Sequence, residues 1–313
     1  MNREDVTAWL NRLPPDEAAR WLAEVLPDYI DNRYFDLWES HGFHLTRCGY
    51  LSPIPVVSSL DDSIWETPSL LPGIDFNDEL QLHLLTEVFP AFRSEYEAFR
   101  TGPGDDPAEF YFDNEYFSGT DALVLYCMVR HLEPAQILEV GSGFSTRLSA
   151  RAVLRNGTGR LECIEPYPSQ VLIDGFPGLE RLYRSRVEDM GLDPFLALGA
   201  GDVLFIDSSH MCRIASDVNF LFLEVLPRLQ PGVIVHVHDI FLPFEYKREW
   251  IKQDHFFWNE QYLLQAFLIF NSEYEVMFAD SYMAHRYPEA VIATFPTAPW
   301  RGGCSIWMRR TGA

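Results

Sequence analysis

The spacing of apolar positions changes near the middle of the chain. In the first part, Trp21, Leu22, Val25 and Leu26 follow a 3.6-residue period after the Pro14-Pro15-Asp16 start, and Leu80, Leu82, Leu84, Leu85, Val88 and Phe89 predict a second helix. A third is expected from Gly119 to His131, stopping before Glu133-Pro134, while Tyr50 to Phe76 is too broken by proline for long regular elements. From Gln136 the pattern becomes short apolar runs: QILEV (136–140), RLECI (160–164), RLYRS (181–185), DVLFI (202–206) and GVIVHVH (232–238). Each is followed by turn residues and then by helical periodicity, which predicts an α/β fold with a parallel, doubly wound sheet covered on both faces. YEVMFA (274–279) and CSIWMRR (304–310) add two late strands with an irregular stretch between them, read as a hairpin-like antiparallel pair.

With 313 residues, 47% of them hydrophobic and 14% aromatic, the chain can close a sizeable core. No window holds the run of apolar residues that a membrane span requires. The net charge is −22, of which −17 falls in residues 1–134 and −5 in 135–313. An acidic helical surface is the simplest account of that asymmetry, and it goes with a division into a mainly helical region, 1–118, and an α/β domain, 119–313. Nucleic-acid partners are disfavoured, because phosphate binding needs facing basic residues. Cys48, Cys127, Cys163, Cys212 and Cys304 form no C-x-x-C pair or zinc-ligand spacing, so reduced thiols are expected. Polar residues interrupt every apolar stretch near the N-terminus, so no secretory signal is read there and a cytoplasmic location is expected.

In an open α/β sheet the ligand crevice lies beyond the carboxyl ends of the strands. After the first strand come Gly141, Ser142 and Gly143, where glycine permits a sharp turn and close approach, and then Ser145 and Thr146, which can cap the next helix. After the second comes Glu165, suitably positioned to accept the two hydroxyl protons of a ribose. A dinucleotide turn would carry a third glycine where Thr146 stands. Glu139 instead completes an E-x-G-x-G pattern, and a carboxylate there favours a cationic ligand.

That pattern resembles motif I of the class I S-adenosylmethionine (SAM) dependent methyltransferases. ILEVGSGFST, Glu165, LFIDSSH (204–210) and PGVIVHVHDI (231–240) fall in the order of that superfamily's strand ends. They look most like its small-molecule branch, which includes natural-product O-methyltransferases, over residues 115 to about 310; EYFSGTDA (115–122) and NEQYLLQAFLIFN (259–271) also resemble segments of uncharacterised members. The resemblance implies a Rossmann-like domain with an antiparallel last strand, SAM as methyl donor, and a small-molecule acceptor methylated at oxygen. Glu139, Gly141, Ser142, Gly143, Glu165 and Asp207 are then the cofactor-binding candidates. A nicotinamide-dependent oxidoreductase and a non-catalytic SAM-binding or interaction module are the alternatives.

Asp207 and His210 follow the fourth strand, and His238 and Asp239 end the fifth, so four ionisable groups should meet at neighbouring strand ends. Methyl transfer often needs a base to free the acceptor's lone pair, and histidine serves at neutral pH. His238 is expected as that base ahead of His210, with Asp239 or Asp207 orienting the ring; Asp207 capping a helix that begins near Ser209 is the plainer reading of that residue. His236, deeper on the same strand, reads as a core histidine hydrogen-bonded to a helix. Catechol-type O-methyltransferases hold magnesium at these strand ends, which by position implicates Asp207, His238 and Asp239. Imidazole is a poor magnesium ligand, so either the site takes a metal that accepts nitrogen, with His210 as a further ligand, or histidine serves as the base without an ion; metal-independent catalysis is the expectation. The aromatic stretch 240–262, which carries both lysines of the chain, Lys247 and Lys252, reads either as a lid over the acceptor or as packing for the N-terminal part.

Overall fold

The computed structural model describes residues 3–298 and 302–312. Contacts divide the chain into Met1–Asp61 and Asp62–Ala313. Residues 62–118, grouped by charge with the N-terminal region, thus belong with the sheet: Leu84, Phe89, Tyr96, Phe99, Phe110 and Phe117 are buried in one of its two cores. In the smaller unit the expected first helix is Pro15–Val25, with Trp21 meeting Trp9 edge-on at 5.1 Å.

The larger unit is built on seven strands: β1 Gln136–Val140, β2 Arg160–Ile164, β3 Leu179–Tyr183, β4 Val203–Ile206, β5 Ile234–His238, β6 Tyr274–Ala279 and β7 Ser305–Arg310. Their order is β3-β2-β1-β4-β5-β7-β6. The β1–β2, β1–β4, β2–β3 and β4–β5 pairings are parallel, while β7 runs antiparallel to both β5 and β6. The expected antiparallel last strand is present, but β6 and β7 are not a hairpin. Two helices, Asp280–Arg286 and Pro288–Thr294, lie in the stretch read as irregular, and they carry the chain back so that β7 enters between β5 and β6.

Alternate strand residues face opposite cores, as the pleat requires. Ile137, Val203, Phe205, Ile234 and Trp307 join the helices Gly119–Leu132 and Phe144–Asn156 on one face. Leu138, Leu204, Ile206, Val235 and Ile306 meet Leu221, Val225 and Leu264 on the other. Burial on both faces explains why the parallel strands read as near-continuous apolar runs. The helix expected over Leu80–Phe89 is present only in part: an α-helical turn, Asp78–His83, widens into a π-turn, Leu84–Val88, and tightens over Phe89–Phe92, where Pro90 cannot donate a backbone bond.

The strand order reverses at β1, whose neighbours are β2 and β4. Backbone bonds join the strand ends there: Gly141 N–H donates to Ile164 (3.0 Å), Asp207 N–H to Val140 (2.8 Å) and Glu165 N–H to Tyr183 (2.9 Å). Gly141 has φ +78°, and a Cβ on it would stand 1.6 Å from the Asp207 carbonyl oxygen. Gly141→Ala should therefore lower unfolding stability by more than about 2 kcal/mol in urea titrations, since strain and a backbone clash act together.

Candidate functional site

β1 delivers Glu139 to the interior one residue before the strand ends. Its side chain is fully buried; Oε1 accepts from Ser145 Oγ (2.6 Å) and Thr146 Oγ1 (2.9 Å), and the Cys163 thiol stands 3.9 Å from Oε2. Thr146 Oγ1 in turn accepts from Gly143 N–H at 2.9 Å, closing the turn over the start of the helix. Ser145 and Thr146 thus tie the turn to Glu139. Burial, only partly offset by those hydroxyls, pushes the Glu139 carboxyl up to about 8. Glu139 does not line the adjoining cavity and shapes the site through the turn it holds.

That cavity, about 330 Å³, lies over the switch point between Gly141, Glu165, Val187, Asp207, Ser209 and Arg213. Glu165 Oε2 accepts from Ser142 N–H (3.2 Å) and Oε1 from Tyr167 N–H (2.7 Å), which leaves a lone pair on each oxygen for a ligand. The Ser142 hydroxyl is buried without a hydrogen bond, and Gly143 has open space where a Cβ would stand. A ribose with an extended cationic tail fits these features: a fixed bidentate acceptor on one side and a side-chain-free turn beside it.

Asp207 belongs both to this cavity and to a buried cluster behind it. No helix begins at Ser209; the chain runs irregularly to Asp217, whose carboxylate accepts from Ser209 N–H (2.8 Å) and Oγ (2.7 Å). This leaves His210 and Asp239 in left-handed backbone, φ +58° and +55°, at about 1–3 kcal/mol each for such residues. His210 Nε2 faces Asp207 Oδ1 (3.3 Å) and Asp239 Oδ2 (3.4 Å), while Nδ1 meets Glu260 Oε2 at 2.8 Å. Burial opposes the charge on His210, but its bonds to Asp207 and Glu260 and the charge on Asp239 outweigh it, and the imidazole is lifted well above its ordinary pKa. Burial raises the Glu260 carboxyl as well, so this pair keeps a proton between them.

His238 stands apart from that triad. Its Nδ1 is buried without a hydrogen bond, its Nε2 is 3.9 Å from Asp239 Oδ1, and its ring lies 4.8 Å from Phe117. Burial disfavours its charged form, but Asp207, Asp239 and Asp121 together hold its pKa above the ordinary value. It converges with Asp121 and Cys304, whose thiol stands 3.2 Å from Asp239 Oδ1 and whose backbone N–H donates to Asp121 at 2.9 Å. His236 is a core residue as expected, yet it is stacked and not hydrogen-bonded: both ring nitrogens lack partners, Phe205 lies parallel at 4.1 Å, and Trp307 meets it edge-on at 4.7 Å.

The set implied for magnesium, Asp207, His238 and Asp239, does not come together as one group. Asp207, His210 and Asp239 converge, and an imidazole nitrogen is what faces both carboxylates. Magnesium demands a near-octahedral oxygen shell, so it does not fit this arrangement. The aromatic stretch after β5 crosses the cluster, with Trp258 4.4 Å from His210 and stacked on Phe256 at 5.3 Å. It also packs on residues 62–65: Arg248 and Lys252 pair with Asp62, and Trp65 Nε1 donates to the Tyr246 carbonyl at 2.8 Å.

Sequence reasoning missed Asp121, Glu260 and Cys304, which reach the cluster from distant segments, and Val187 and Glu188 beyond β3. The last two carried a usable signal, since they follow a strand end, but β3 stops at Tyr183, two residues before the expected limit.

The family described as a methyltransferase domain matches residues 138–240. An uncharacterised protein of Archaeoglobus fulgidus is 30% identical over 158 residues, spanning 48% of this chain and 71% of that relative. Among solved structures, the O-methyltransferase TomG of Streptomyces achromogenes, involved in tomaymycin synthesis and seen with SAM, is 17% identical, with 73% of this chain and 89% of that one covered at a TM-score of 0.37. An O-methyltransferase of Bacillus cereus in complex with SAH is 14% identical, with 73% and 90% covered and a TM-score of 0.37.

The buried Glu139 carboxyl makes a prediction about pH. Its folded-state pKa of about 8 lies above the ordinary 4.5, so its ionisation in the unfolded chain alone costs stability as pH rises between those values. Glu139→Gln, neutral throughout, should gain stability relative to the parent across that window and show no gain below it, as read from unfolding midpoints at a series of pH values.

Proposed function

From the premise that the chain belongs to the class I SAM-dependent methyltransferases, we propose that it methylates a small-molecule acceptor at oxygen, with His238 as the base and without a metal ion. Bound SAM supplies an electrophilic methyl group on a sulfonium. The observation that carries the reading is Asp207, which lines the cavity beside Glu165 and also belongs to the cluster that contains His210 and Asp239. Donor cavity and ionisable cluster therefore share a wall.

In this mechanism Glu165 accepts the ribose hydroxyls and the Gly141–Gly143 turn lets the methionine portion lie close to the backbone. His238 takes the acceptor's proton, since neither of its ring nitrogens is tied by a short hydrogen bond. His210 is unsuited to that task because its proton is already held by carboxylates on both sides. The fused rings of Trp258 and the neighbouring aromatic stretch favour an acceptor with a flat, partly apolar body. The net charge of −22 disfavours polyanionic acceptors. No helix among the described residues is long and apolar enough to cross a membrane.

Calorimetric titration of SAM should show one site per chain, and Glu165→Ala should weaken it by roughly ten- to a hundredfold, the cost of losing a charged bidentate acceptor. Unchanged affinity would remove Glu165 from the ribose site. Labelled SAM should transfer its methyl group into a metabolite extract and not into bulk tRNA or DNA.

Turnover should rise with pH through a value above the ordinary histidine pKa, because His238 must lose its proton to act and its carboxylate neighbours hold that proton. His238→Ala should cut the rate by roughly 10² to 10⁴ and abolish that rise. Treatment with EDTA should leave activity intact; loss of activity that returns with an added divalent ion would overturn the metal-independent assignment.

A further inference from the structure

The helix Phe144–Asn156, which begins at the glycine turn, carries Arg147, Arg151 and Arg155 at successive four-residue steps, hence on one face. This is a concentrated stripe in a chain with only 24 basic residues against 46 acidic ones. It borders the cleft formed with Phe110, Phe176 and Pro177, about 610 Å³ and sharing no residue with the cavity beside Glu165.

Arg155 pairs with Glu95 at 3.7 Å, but Arg147 and Arg151 have no ion pair or hydrogen bond among the described residues. Their guanidinium groups are instead laid over aromatic rings, Arg147 at 4.0 Å from the Phe144 centroid and Arg151 at 4.4 Å from that of Phe99. Stacking fixes a guanidinium plane while leaving its in-plane N–H donors unused. Burial holds Arg147 below the ordinary arginine pKa, although the charges of Tyr111 and Asp106 work in the opposite direction.

Two of the acids around the cleft are paired with other arginines, while Asp106 also acts on Arg147 through its charge. Glu95 accepts from Arg130 Nε (2.8 Å) and the Tyr126 hydroxyl (2.7 Å), Glu109 pairs with Arg100 at 3.7 Å, and Asp106 Oδ1 accepts from Ala108 N–H at 2.8 Å. Among the described residues neither guanidinium is held in an ion pair, so a ligand oxygen competes there with the nearby charge of Asp106 and not with a salt bridge. Screening confines the long-range field of the chain's net charge, whereas a ligand oxygen would meet the arginines in direct contact.

We propose that this cleft is an accessory binding site for a small molecule that carries an oxyanion, a carboxylate or phosphate monoester, on an apolar body. The oxyanion lies across Arg147 and Arg151, one helical turn apart, and the body rests against Phe110, Phe176 and Pro177. The site is separate from the methyl-transfer centre but adjoins its scaffold, since the ring under Arg147 belongs to Phe144, the residue after Gly143.

The test uses the full chain with three probes: phenyl phosphate, phenylacetate and the neutral benzyl alcohol. Calorimetry should detect one or both anions at millimolar concentration and not the alcohol, and the comparison of the two anions decides between phosphate and carboxylate. Arg151→Gln should weaken the bound anion by roughly ten- to a hundredfold while leaving SAM affinity unchanged, which also establishes that the variant is folded. Hydrogen exchange on the unsubstituted protein should show the anion protecting peptides spanning residues 94–110 and 144–155. Failure of both anions to bind, equal binding to Arg151→Gln, or competition with SAM would each overturn the proposal.

Discussion

The contact on which the rest depends is the near-touch of Gly141 and the Asp207 carbonyl, where the chain leaving β1 lies against the chain leaving β4. No side chain can stand between them, so the turn beside the cavity and the residue whose carboxylate joins the ionisable cluster are held at contact distance by backbone alone. Hydrogen bonds from Gly141 to Ile164 and from Asp207 to Val140 extend this fixed edge over three strands. Chemistry that requires two reactants in line benefits from such a frame, because the entropy of bringing the two half-sites together is spent in folding and not in each turnover.

What was legible in the sequence follows from local rules. Parallel strands buried on both faces leave apolar runs, and residues directly after those runs are carried to one edge of the sheet; Gly141, Glu165 and Asp207 line a cavity there. What escaped depends on long-range closure. Glu260 sits at the start of a helix, and nothing near it in the chain announces that its carboxylate meets an imidazole 50 positions earlier. Asp121 is a first-turn acid of the helix Gly119–Leu132, yet it accepts the Cys304 backbone N–H from the far end of the chain. His210 is the imidazole that faces both aspartates, from a segment after β4 that stays irregular instead of entering a helix and holds that residue in left-handed backbone.

Two histidines on one strand illustrate how much the surroundings decide. His236 and His238 point to the same side of β5 and their rings lie 5.9 Å apart. One is enclosed by Phe205 and Trp307, so burial drives its pKa well below the ordinary value and it behaves as a flat apolar plate. The other, one pleat further on, is surrounded by carboxylates and held above it. The boundary between core and reactive centre therefore falls between two residues of identical chemistry.

The aromatic segment after β5 is anchored at its two ends: Ile240 N–H donates to the Cys304 carbonyl, Phe241 N–H to the Gln261 side chain, and Asn259 and Glu260 N–H both to the His210 carbonyl. Between these anchors it also meets His210 through Trp258 and Asp62 through Arg248 and Lys252, so it is held along its length. A change at Trp258 is therefore felt at the buried imidazole it covers, and the segment and the cluster beneath it must alter together.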